Sequence, residues 1–176
     1  MRGFAIAACA LGLAACATQS PADIAAAQRF ADREAIEAVL DAANRGFEFS
    51  DPDLFANAYA PDGVYELDGK GPVFGYDKMR YEGRDDIRTI VSVRVERGKK
   101  ADPTRLTYDP ASLRRYNRNT DSRIEFIDAT HAHHTSTWMV VMHTNVNIHI
   151  SAVGRYDDLL EKRDGKWLIT KRRRIE

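Results

Sequence analysis

The hydrophobic period changes once along this chain, and that change limits the fold more than any other feature. Ile36, Val39, Leu40, Ala43 and Phe47 return every three or four residues, the spacing of a helix with one buried stripe. Beyond about residue 111 the chain alternates instead. Ala132, His134, Ser136, Trp138, Val140 and Met142 fall in file on one side of a strand. Helical spacing followed by long alternating runs describes an α+β chain with helices gathered on one face of a curved, mostly antiparallel sheet. Three N-terminal helices packed on such a sheet make a cone-shaped barrel. The hollow between the helices and the concave face is the default place for a site.

Local signals set the boundaries. Ser20, Pro21 and Asp23 have the spacing of a capping box and predict a helix over 21–48, with a break near Arg29. Asp51-Pro52 starts a second, short helix carrying Leu54, Phe55 and Tyr59, ended by the turn Pro61-Asp62-Gly63. Residues 63–67 read as a strand and 68–71 as a loop. Ile87, Ile90 and Val91 mark a third helix from Gly83 to Glu96, stopped at Gly98. A polar loop from Lys99 to Tyr108 follows. Strands are then expected at about 112–118, 122–128, 130–143, 146–163 and 166–175, with Asp164-Gly165 as a tight hairpin between the last two. Ile148, Ile150, Ala152, Gly154 and Tyr156 form an apolar core face, and Trp167 and Ile169 read the same way. Lys171 to Arg174 suit a solvated edge strand.

The chain has 26 basic and 26 acidic residues, so no global field draws it to nucleic acid, and none is expected as a partner. Its first residues carry a different message. Arg2 precedes an apolar run from Phe4 to Ala15, too short to span a bilayer as a helix. Leu13-Ala14-Ala15-Cys16 closes it and resembles the lipobox of bacterial lipoproteins. That resemblance implies a signal peptide over 1–15, cleavage before Cys16 and a lipid on its sulfur. Residues 16–30 are then a tether and the start of the first helix, and residues 31–176 the domain. Ala17 after Cys16, rather than Asp, resembles lipoproteins sorted to the outer membrane, which implies an anchor there with the domain in the periplasm. Cys9 and Cys16 are the only cysteines, so the mature domain folds on packing alone, without an internal disulfide.

Three segments together resemble the SnoaL-like branch of the nuclear-transport-factor-2-like superfamily. The first runs from Ile36 and Leu40 to Tyr59-Ala60-Pro61-Asp62-Gly63-Val64. The second is Tyr81-Glu82-Gly83-Arg84-Asp85-Asp86-Ile87. The third joins Gly154, Tyr156, Asp158 and Leu160 to Asp164-Gly165-Lys166-Trp167 and Arg172. The resemblance implies a cone-shaped α+β barrel, often dimeric through its sheet, with a hydrophobic pocket. Its members include cofactor-independent polyketide cyclases, dehydratases and isomerases, as well as non-enzymatic binders. In the enzymes, a carboxylate near the end of the first helix and a strand imidazole move protons at an activated carbon.

Family spacing puts the carboxylate on Glu48, while the histidine position falls within Arg114-Arg115-Tyr116-Asn117, where no histidine stands. The usual pair is therefore missing or rebuilt. His134 is the candidate relocated base with Glu48 as its acid, and Tyr116, Asn117 and Arg172 would orient a substrate between walls of Tyr59 and Trp138. Glu48 projects about 100° from Phe47, near the side of Glu37 and Asp41, so a solvated helix-end acid is its plainer reading, and Asp51 is first of all an N-cap. His131 and His133 share the other face of their strand and could chelate zinc, copper or nickel, but no third ligand of suitable spacing follows and no metal is expected. Two functions result. One is a tethered module binding a small, largely apolar molecule. The other is a cofactor-independent lyase, isomerase or cyclase.

Overall fold

The computed structural model describes residues 20–68, 78–99 and 114–176. The expected signal segment, Cys16, Tyr76 and nearly all of the polar loop after Lys99 lie outside the described residues. Helix α1 runs unbroken from Pro21 to Glu48. Its capping box is complete: Asp23 N donates to Ser20 Oγ over 3.1 Å, and Ser20 N donates back to Asp23 Oδ2 over 3.1 Å. The expected break at Arg29 is absent because Ala25, Ala26, Ala27 and Gln28 are strong helix formers. Helix α2, Pro52–Asn57, starts where Asp51 accepts from Asp53 N and Leu54 N.

Strand β1 spans Tyr59–Asp68, so Tyr59 opens a strand rather than closing the second helix. A short β2, Arg80–Glu82, and helix α3, Arg84–Lys99, follow. Residues 114–126 form one strand, β3, where two were expected; β4 is His131–His143, β5 Ile148–Arg163 and β6 Lys166–Ile175. The six-stranded sheet has the order β2-β1-β6-β5-β4-β3 and is antiparallel except for β1 beside β6. The α+β architecture is as expected. The edge position of the last strand is not, because β6 lies between β1 and β5. Asp164 and Gly165, at φ 50 and 78, make the predicted tight hairpin.

Three irregularities decide which side chains face the helices. In β5 Ser151 is extra, because Val140 pairs with Ala152 and Val141 with Ile150. The alternation flips there, so Ile148 and Ile150 are 67% and 60% exposed rather than core, while Tyr156, Asp158 and Leu160 point inward. In β6 Thr170 is extra between Ile169 and Lys171. Simple alternation from Trp167 and Ile169 would send Arg172 to solvent; after the bulge, Arg172 and Arg174 are buried. In β3 Asp121 and Ser122 together oppose the single residue Ser136, with Asp121 left-handed at φ 53.

The core lies between α1, α3 and the sheet, built from Ile36, Leu40, Ala43, Ile87, Val91 and Ile169 with an aromatic chain of Phe47, Phe55, Tyr59, Tyr65 and Tyr81. Asp32 pins α1 to the sheet by accepting from Lys162 Nζ at 2.6 Å and Trp167 Nε1 at 3.0 Å.

Candidate functional site

The inward file on β4 carries His134, the β5 bulge brings Asp158 beside it, and the β6 bulge adds Arg172. The three are 1%, 0% and 1% exposed, so their bonds are made without competing water. His134 Nδ1 lies 2.9 Å from Asp158 Oδ2. Arg172 grips the same carboxylate with both arms of its fork, Nε to Oδ1 and Nη2 to Oδ2, each at 2.8 Å. Burial alone would raise the Asp158 carboxyl, but the Arg172 charge and the bonds from Arg172 and His134 hold it below the usual range. The two ring nitrogens of His134 are thus split between two partners, Nδ1 facing Asp158 and Nε2 facing Ser122 Oγ at 3.1 Å.

Three adjoining hollows lie between α1 and the sheet, and Asn44 and Asn119 border all of them. The innermost is walled by Phe47, Phe55, Trp138, Tyr156 and Arg172 and measures about 10 Å³, room for one water at most. It is filled largely by the arginines: Arg172 stacks on Tyr156 at 4.2 Å and Arg174 on Trp138 at 3.9 Å. The second is an open groove of about 540 Å³ at the mouth of the cone, between the last turns of α1 and β3. Glu48, Phe49, Tyr116, Asn117 and Arg118 line it. The third, about 160 Å³, is lined by Glu37, Leu40, Asp41, Ser122 and His134.

The expected site residues thus divide. Glu48, Tyr116 and Asn117 share the groove; Trp138 and Arg172 sit behind it on the inner cavity; His134 opens onto the third hollow. Tyr59 is 0% exposed, packed on Phe55 and Tyr65, and borders none of the three. The Glu48 side chain is 12% exposed and lies 3.8 Å from Arg118 Nη1, so it is not a solvated acid. Arg172 is not on a solvated edge strand. Asp51 is the N-cap it was expected to be. His131 and His133 pair separately, with Asp128 and Asp157. Among the described residues no three His, Cys, Asp or Glu side chains gather as a metal site.

Asp158 was named from the sequence only as part of a family segment, not as a site residue, and Ser122 was not named at all. An acid in file with Gly154, Tyr156 and Leu160 was a usable signal for Asp158; the bulge that presents Ser122 left none. A further feature concerns Asn117, whose Nδ2 is buried between the groove and the inner cavity with no acceptor among the described residues. The Ser136 hydroxyl is likewise unpartnered there.

Comparison with known proteins agrees with this architecture. A protein described as NTF2-like with a cystatin-like fold, from Novosphingobium aromaticivorans, superposes with a TM-score of 0.67 at 14% identity, covering 90% of this chain and 91% of that one. LinA gives 0.62 at 16% identity, over 85% and 88%. A protein from Catenulispora acidiphila in complex with S-DNPA gives 0.59 at 14%, over 82% and 92%. No curated protein matches. At such identities the structures share the fold alone, but the family built on the SnoaL-like domain matches residues 28–173. The cone of helices on a curved sheet and that match together make this chain a member of the SnoaL-like domain family.

Proposed function

We propose that this protein is a membrane-tethered binding domain whose small-molecule ligand seats in the groove at the mouth of the cone. One observation carries the reading: the Asn117 amide is buried without an acceptor at the point where the groove meets the inner cavity. A buried donor without a partner costs about 1–3 kcal/mol, and a ligand carbonyl or ether oxygen would remove that cost. Phe49, 67% exposed, and Tyr116 offer apolar surface beside it. The ligand class is a small, largely apolar molecule with one oxygen acceptor. The complex of the Catenulispora acidiphila protein with S-DNPA supports a small organic ligand for this fold.

Asn117→Leu is expected to weaken binding about tenfold, the loss of one hydrogen bond. Its melting temperature should hold or rise, since the unpaired amide goes with it. Mass spectrometry of natively purified protein would find the co-purifying molecule, and isothermal titration would give the affinity ratio. Equal affinity for both forms would remove the reading.

The enzymatic alternative, with Glu48 and His134 as acid and base, has less support. Glu48 turns to Arg118 in the groove, whereas His134 is bonded to Asp158 and Ser122 beside a different hollow. The tether rests on Leu13-Ala14-Ala15-Cys16. Acyl labelling should mark the wild type and be lost in Cys16→Ser, which should also leave the membrane fraction; an unlabelled wild type would contradict the anchor. A second copy across the sheet is part of the same proposal. The exposed Ile148, Ile150 and Val153 on β5 favour it.

A further inference from the structure

We infer that Ser122, His134 and Asp158 form a nucleophilic relay that hydrolyses small, uncharged carboxylic esters in the hollow beside α1. The relay has the connectivity such chemistry needs. Asp158 orients the imidazole through Nδ1, and the free Nε2 stands 3.1 Å from the Ser122 hydroxyl, within reach of its proton. The imidazole presents one nitrogen to each neighbour, so Nε2 can take the hydroxyl proton while Nδ1 stays bonded to Asp158. The serine is presented rather than buried. It follows Asp121, at φ 53, in the β3 bulge, which turns its Oγ toward β4 while leaving the residue open to solvent.

The hollow over Ser122 and His134 measures about 160 Å³, enough for a short acyl group. Asn44 and Asn119 line it and carry the amide donors available to a carbonyl oxygen that gains charge. Glu37 and Asp41 stand at its walls, so a neutral ester is admitted and the anionic product repelled. In the first step Ser122 Oγ bonds to the ester carbon and its proton passes to His134 Nε2. The bond to the alcohol oxygen breaks, and the alcohol leaves with that proton. Water then attacks the acyl-serine, giving one proton to Nε2. The carboxylic acid departs as Ser122 recovers the proton, so ester and water become acid and alcohol.

This proposal uses neither Asn117 nor the groove and is independent of the ligand reading above. Its test treats the full chain with an uncharged fluorophosphonate and, separately, with p-nitrophenyl acetate. The expected result is one phosphonyl group, mapped to Ser122, and ester hydrolysis that falls about 100-fold or more in Ser122→Ala. The variant takes the hydroxyl away from His134 Nε2, so its melting temperature is read beside its activity to show that it folds. No labelling of the folded wild type, labelling on another residue, or undiminished hydrolysis by Ser122→Ala would each overturn it.

Discussion

Asp158→Asn is expected to destabilise the domain by about 3–5 kcal/mol, the usual cost of breaking a buried ion pair by removing one partner. The amide leaves Arg172 charged, 1% exposed and without its counterion, and takes the acceptor from His134 Nδ1. At about 2–4 °C per kcal/mol for a domain of this size, melting should fall by roughly 6–20 °C. The double replacement Asp158→Leu with Arg172→Met should cost much less than Asp158→Asn, because no charge is stranded. Acid should close the gap. Asp158 titrates below the usual carboxylate range when folded, so its contribution is complete at neutral pH and lost as pH falls through that lowered value. Urea unfolding of both proteins at neutral and acid pH measures this. A gap that widened toward acid would mean Asp158 is not the stabilising carboxylate.

Gly46→Ala should cost about 3 kcal/mol, at the upper end for overpacking. Helices α1 and α2 touch at this residue. A Cβ there would lie 2.6 Å from Phe55 Cα and 2.9 Å from its Cβ, and closer still to its backbone nitrogen. These are mostly main-chain atoms that cannot rotate away, so α2 must move off α1. Phe55 is 2% exposed and stacks on Phe47 and Tyr59, and the shift would disturb that aromatic contact. It would also displace Glu48 and the groove wall beside it, so ligand affinity should fall together with the melting temperature. A variant that melted like the wild type would show that the two helices do not pack this closely.

The fold was legible in the sequence wherever a periodic pattern ran uninterrupted. The stripe from Ile36 to Phe47, the Ser20 cap and the Asp164-Gly165 turn are each local, and each is where it was expected. The file from Ala132 to Val140 was also read correctly as one face, and it is the buried one. What failed was alternation carried across a bulge. One extra residue, Ser151, turned Ile148 and Ile150 outward, and another, Thr170, turned Arg172 and Arg174 inward. A bulge has no hydrophobic signature of its own; it is defined by the partner strand, which single-chain periodicity does not contain. The pairing of His134 with Asp158 and Arg172 depends on both shifts, which is why its members could be named singly but not as a cluster. Glu48 is the converse case. Its helical angle pointed to solvent, yet β3 packs alongside and covers it.

The ligand seat is tested most directly by two-dimensional NMR of the mature chain screened against small, largely apolar molecules, with the Asn117 side-chain NH₂ as the reporter. Compounds that bind should shift that signal together with Tyr116 and Arg118, and should bind Asn117→Leu about tenfold more weakly. Binding that left the Asn117 signal in place, or held with equal strength in the leucine variant, would contradict a ligand seated at the mouth of the cone.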